Sequence, residues 1–157
     1  MSQRYYNTSI KNLTYRLRKF KDNLSDTLED IVRENEDIIV SAVTADQLFE
    51  EGIDGRGVTL ESIRPYADRT LFRKIRKGQP IDRVTLRDSG KFYDSIYLVY
   101  DKGGFYLTSD HRAYPTLRKR YGKTLLRLTD DSFNYILNEV IRPELYEKFK
   151  RAINTEE

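Results

Sequence analysis

Toward the N-terminus the hydrophobic positions step by three or four. Leu13, Leu17, Phe20, Leu24, Leu28, Ile31, Asn35, Ile38 and Ala42 share one face, and Lys, Arg, Asp and Glu fill the other. That period predicts a long amphipathic helix. Ser9 stands where an N-cap belongs, and the polar residues 1–8 before it read as a flexible arm. An interruption is expected near Asn23, because Asp26 and Glu29 are spaced for a fresh capping box. So long a helix has two readings: it spans the core of its own domain, or it also packs on a neighbour. The β-branched run 38–43 is either the end of this helix or a short strand, and periodicity does not choose between them.

Thr44 and Gln47 have capping-box spacing, which predicts a short helix over 46–51. A Gly-rich loop follows, Gly52-Ile53-Asp54-Gly55-Arg56-Gly57, with two corners that tolerate positive φ. It lacks the preceding strand and the Gly-Lys-Ser/Thr ending of a phosphate cradle, and its acids do not alternate as a calcium loop requires. Residues 66–77 read as a basic helix carrying Arg69, Arg73, Lys74, Arg76 and Lys77 among Leu71, Phe72 and Ile75, ended by Gly78 and Pro80. Its cations either meet phosphate or an acidic partner, or form a solvated face.

The chain is organised around residues 79–100. A short extended run, Arg83, Val84, Thr85 and Leu86, leads into an Arg87-Asp88-Ser89-Gly90 corner. Asp88 and Ser89 suit N-caps, and Gly90 suits a backbone angle that a Cβ forbids. One helical turn, 91–94, then enters a strand at 95–100. Ile96, Leu98 and Tyr100 lie on one strand face, Tyr97 and Val99 on the other, so both faces are apolar and call for cover. The second layer would come from the terminal helices or another subunit. Lys102, Gly103 and Gly104 form a hairpin loop, and 105–108 returns antiparallel.

Beyond the hairpin, Pro115 can start a short helix that Gly122 ends. Arg118, Lys119, Arg120, Lys123 and Arg127 are interleaved here with Tyr114 and Tyr121, a pattern that serves single-stranded nucleic acid or a protein interface equally. Thr129 caps a closing helix with Asp130 and Asp131 in its first turn. Phe133, Leu137, Ile141, Leu145, Phe149 and Ile153 recur every four residues along it, and Pro143 predicts a kink at Ile141 and Arg142.

Together these elements predict an α+β fold over a single domain, 1–157, with the long N-terminal and the C-terminal helix packed on a small antiparallel sheet. With no cysteine there is no disulfide or thiolate metal site, and the one histidine, His111, has no partner at a telling spacing. The N-terminus lacks the apolar segment of a secretory signal and no run is long enough to span a membrane, so a cytosolic origin is expected. A net charge of +3 is too mild to demand nucleic acid. Twelve tyrosines give a weak hint of an interface. Asp82, Asp88, Glu144 and Glu147 beside Lys148 are the acids to weigh for a metal nuclease, but the closest group sits on a helix surface where charge is ordinary. No enzyme activity and no cofactor are expected.

In order along the chain stand Thr44-x-Asp46-Gln47-Leu48, Gly52-x-Asp54-Gly55-x-Gly57, Lys77-Gly78-Gln79-Pro80 and Val84-Thr85-Leu86-x-Asp88-Ser89-Gly90-x-Phe92-Tyr93-x-Ser95. This series resembles the tailed-phage virion-morphogenesis proteins, the head–tail connector and tail-completion group, in the form found in phages of gut bacteria. Ser89 stands where that family usually has Thr, which keeps the hydroxyl. The resemblance covers roughly 30–140 and rests on short structural motifs. It implies a non-enzymatic subunit of a six- or twelve-fold ring in the virion neck or tail, made in the bacterial host's cytoplasm. Its partners would be portal-side, neck and tail proteins, with DNA passing through the lumen. The residues expected at its interfaces are Phe92, Tyr93, Tyr97, Val99, Tyr114, Arg118, Arg120 and Tyr121, with Asp88, Ser89 and Gly90 as the structural corner. The competing reading is a nucleic-acid-binding module built from the two basic segments.

Overall fold

The N-terminal helical run is broken twice, at Asn23 and at Asn35. The computed structural model describes residues 2–101 and 103–154, with side chains from residue 10 onward, and gives α1 as Ser2–Asp22, α2 as Leu24–Glu34 and α3 as Glu36–Ser41. A π-helical segment, Ala42–Glu51, continues directly from α3. The expected arm is helical from Ser2, since nothing in 2–8 is Pro or Gly to stop it. The break at Asn23 is where the sequence puts it, although no capping box forms. Thr27 Oγ1 donates to the Asn23 carbonyl instead, and Glu29 pairs with Arg33.

Asn35 breaks the helix because its side chain competes with the backbone. Buried in the apolar stripe, it sends Nδ2 to the Ile31 carbonyl (2.9 Å) and to Glu144 Oε1 (3.0 Å). After this break the stripe changes register: Ile39 is fully buried, while Ile38 is 40% exposed. The run 38–43 is therefore helical, with a different face inward.

The chain groups into two compact units, one formed by the residues up to Asn35 and from Ile136 onward, the other by Glu36–Tyr135. In the first unit, α1 and α2 pack with a π-helical segment, Ile136–Ile141, and a C-terminal helix, Arg142–Asn154. Phe20 meets Phe149 edge-on at 5.2 Å, Arg16 Nη1 donates to the Ile153 carbonyl (2.7 Å), and Lys148 pairs with Glu34. At Ile141 and Arg142, where a kink or break was expected, the chain stays helical. The winding changes there from π to α, and Pro143 is the second residue of the α-helical stretch.

The second unit holds α3, the π segment 42–51, and α4 (Leu60–Ile63) and α5 (Asp68–Arg76). A 3-10 turn, Tyr93–Ser95, leads into β1 (Ile96–Asp101), paired antiparallel with β2 (Gly104–Ser109). The helices α6 (Tyr114–Tyr121) and α7 (Asp130–Tyr135) follow, which makes Arg142–Asn154 α8. The mixture of helices and a small antiparallel sheet is the expected α+β class. The register runs from Ile96 opposite Ser109 to Asp101 opposite Gly104, and Lys102 of the expected loop lies outside the described residues. Among the described residues the sheet has only these two strands. The helix against β1 is α3, whose Glu36 Oε1 accepts the Leu98 N–H at 2.9 Å. Ile96, Leu98 and Leu107 point into the core with Ile39, Val43, Leu48, Leu60, Val84 and Leu125. On the opposite face Tyr97 and Tyr106 are exposed.

Polar side chains buried in this unit replace missing backbone partners. Gln47 is not the end of a capping box. Its Nε2 donates to the Arg127 carbonyl (3.0 Å) and its Oε1 accepts the Thr129 N–H (2.9 Å), while Thr44 Oγ1 bonds back to Val40. Asp54, fully buried, accepts from Arg56, from the Val58 N–H and from Thr124 Oγ1. Gly55 passes so close to Arg127 that an added Cβ would lie 2.5 Å from its carbonyl oxygen. Thr129 is a true N-cap, its Oγ1 accepting the Ser132 N–H at 3.1 Å.

Candidate functional site

Lys74 points inward from α5 and is only 3% exposed. Its ammonium reaches the Arg87 carbonyl at 2.9 Å, Thr85 Oγ1 at 3.3 Å and Gln79 Oε1 at 3.4 Å, and sits 5.0 Å from the centre of the Tyr66 ring. All three of its protons have acceptors, none of them a carboxylate among the described residues. These contacts tie α5 to the segment just before the Asp88-Ser89-Gly90 corner.

That segment is not a strand. The Tyr66 hydroxyl takes the N–H groups of Thr85 (3.1 Å) and Leu86 (2.9 Å), and the Tyr93 hydroxyl donates to the Thr85 carbonyl. Burial pushes the Tyr93 phenol well above its ordinary range, so it remains a donor. Leu86 is held at φ +56°, a left-handed angle that a bulky side chain rarely adopts. The corner itself differs from expectation in one respect. Asp88 and Ser89 cap no helix: the 3-10 turn that follows has no side-chain cap, and Ser89 is exposed. Asp88 instead pairs with Lys77 Nζ at 2.5 Å, and that hydrogen bond holds its carboxyl below the usual value. Gly90, at φ +89°, has the conformation expected of it.

Around this corner lies an open cleft of about 480 Å³. Arg73, Lys74, Arg87, Lys91, Arg112 and Arg120 line it, and its one acid is Asp88, already paired with Lys77. The two basic segments, distant in sequence, thus meet on one concavity with the corner between them. Tyr66, Phe92, Tyr93, His111 and Tyr121 supply its aromatic wall.

Of the residues expected at interfaces, Phe92, Tyr93, Arg120 and Tyr121 line the cleft. Phe92 and Tyr121 are buried. Phe92 stacks on Tyr114 at 6.2 Å and meets His111 edge-on at 5.9 Å, and the Tyr121 hydroxyl donates to the Arg64 carbonyl (3.2 Å). Tyr97 and Val99 lie on the outer hairpin face, with the Tyr97 hydroxyl on Asp110, and Arg118 is exposed outside the lining. Arg87, Lys91 and Arg112 were not anticipated. Each stands singly in a loop, and only the folded corner gathers them.

His111 Nδ1 accepts the Ala113 N–H at 3.2 Å. Asp82 pairs with Arg83, Glu147 with Lys150, and Glu144 accepts from Asn35. Among the described residues no three His, Asp or Glu side chains converge to hold a metal, and no helix is long and apolar enough to cross a membrane. The lining of the cleft carries six cations against one acid. Comparison with known protein families, with curated proteins and with solved structures finds no match to this chain.

Proposed function

We propose that this protein is a structural subunit of a tailed-phage virion, a ring component of the neck or tail-completion region between portal-side and tail-side proteins. The observation that carries this reading is the unfinished hairpin: β2 has no outer strand among the described residues, and Tyr97 and Tyr106 lie exposed on the sheet's outer face. A subunit that is completed by its neighbours leaves such an edge and such aromatics for them. The motif series behind the resemblance is consistent with this, because its residues do framework work. Gln47, Leu48 and Asp54 are buried, Gly55 is packed against Arg127, and Ser95 Oγ shares a hydrogen bond with Ser109 Oγ at 2.7 Å. The test is imaging of purified virions. The chain is expected in the particle at the head–tail junction with rotational symmetry, and its absence from virions, or its presence without symmetry, would sink the proposal.

A second reading, a nucleic-acid-binding module, draws on the basic cleft. It ranks behind the first because the rings there offer little stacking surface. Phe92 and Tyr121 are buried, and Lys74 covers one face of Tyr66.

A further inference from the structure

We infer that the basic cleft is a binding site for an acidic peptide segment, its carboxylates held by Arg73, Arg87, Arg112 and Arg120. The site rests on its own geometry and not on the neck assignment. Four observations carry it. Six cations line an open cleft of about 480 Å³, within the volume range of ligand sites. Its single acid, Asp88, is occupied by Lys77 at 2.5 Å, so the positive charge of the walls is not cancelled from within. One of the six, Lys74, is buried and bound to Gln79, Thr85 and the Arg87 carbonyl, which fixes the floor of the cleft and leaves the five other cations to face a ligand. And Leu86, on the cleft wall, is held in a left-handed backbone conformation by the Tyr66 hydroxyl, strain of the kind that proteins keep at working sites.

The choice of peptide over nucleic acid follows from the same walls. Guanidinium groups present planar forks that take a carboxylate or a phosphate in a bidentate grip. Binding of single strands adds open aromatic faces along a track, and here the aromatics are consumed by internal contacts: Phe92 against Tyr114 and His111, Tyr66 under Lys74, and the Tyr93 hydroxyl on Thr85. A concavity that holds anions without stacking bases suits Asp and Glu side chains of a partner.

The test is fluorescence anisotropy on the full chain with three probes at low and high salt: a labelled short polyglutamate peptide, a labelled oligo-dT of matched charge, and inorganic phosphate as competitor. The peptide is expected to bind more tightly than oligo-dT, and phosphate to displace it only weakly. Arg112→Glu and Arg120→Glu, both at exposed positions, are each expected to weaken peptide binding about tenfold or more with the melting temperature held. Arg69→Glu, outside the lining, is expected to change it less than about twofold. Absence of peptide binding at low salt overturns the proposal, as does equal weakening by Arg69→Glu, which would mean diffuse charge attraction. Tighter binding of oligo-dT, lost in the same two variants, overturns it in favour of nucleic acid. Virion imaging is untouched by any of these outcomes.

Discussion

Asp54 is a carboxylate with no solvent exposure that stays ionised by company. Burial pushes its carboxyl up, but hydrogen bonds from Arg56, Thr124 and the Val58 N–H outweigh that and leave it below its ordinary value. The sign of the pH effect follows. The folded chain holds this site deprotonated more tightly than the unfolded chain, so its stabilisation is complete above the unfolded value of about 3.9 and is lost as pH falls through the folded one. Asp54→Asn should therefore be less stable than the parent at pH 7 by about 1–3 kcal/mol, and the gap should close on acidification; chemical denaturation at several pH values measures both. Gly90 gives a second prediction at this scale. An added side chain meets only Asp94 Oδ2, at 3.7 Å, so room is not the issue; φ +89° is. Gly90→Val should cost about 1–3 kcal/mol and lower the melting temperature, and an unchanged melt would remove the corner's claim on glycine. That glycine was legible because it follows Asp-Ser in a turn. Lys74 was not, because burial of a lysine depends on acceptors at Gln79, Thr85 and Arg87 that only the folded loop brings to it.

Among elements, those whose signal is local were readable and those set by tertiary partners were not. Thr129 caps its helix and Gly122 follows α6, both from chemistry within a few residues. The break at Asn35 escaped because Asn is tolerated in a helix until its amide finds another acceptor, here Glu144. Once it breaks, the apolar face turns from Ile38 to Ile39, and a periodicity that assumes one straight helix loses its register. The cleft was half legible: each basic segment stood out, but their meeting did not, since it depends on the corner between them. The tie between α3 and β1 is likewise invisible in sequence. Glu36 accepts a strand N–H that has no neighbouring strand to serve it. Glu36→Ala should cost about 1–2 kcal/mol and speed amide exchange at Leu98 selectively, leaving Val99 protected by its pairing with β2. Equal acceleration at both amides would mean that the whole hairpin had loosened and that the tie was not local.

The whole molecule is marked by its asymmetry of finish. In the unit 36–135, β1 is closed on its outer side by α3, while β2 ends the sheet. A strand edge has a direction, and this limits what can be built on it. If β2 of one copy paired antiparallel with β2 of another, the contact would be self-complementary about a two-fold axis and growth would stop at a dimer. An edge that serves a ring must instead receive a different segment, so that each copy both gives and takes. The chain has no cysteine, and a single one introduced on β2 therefore reports on this alone. Under mild oxidation Thr108→Cys should remain largely uncrosslinked in the purified protein. Abundant disulfide-linked dimers would reveal an edge satisfied by its own copy, and hence an edge with nothing left to offer a seventh, or even a third, subunit.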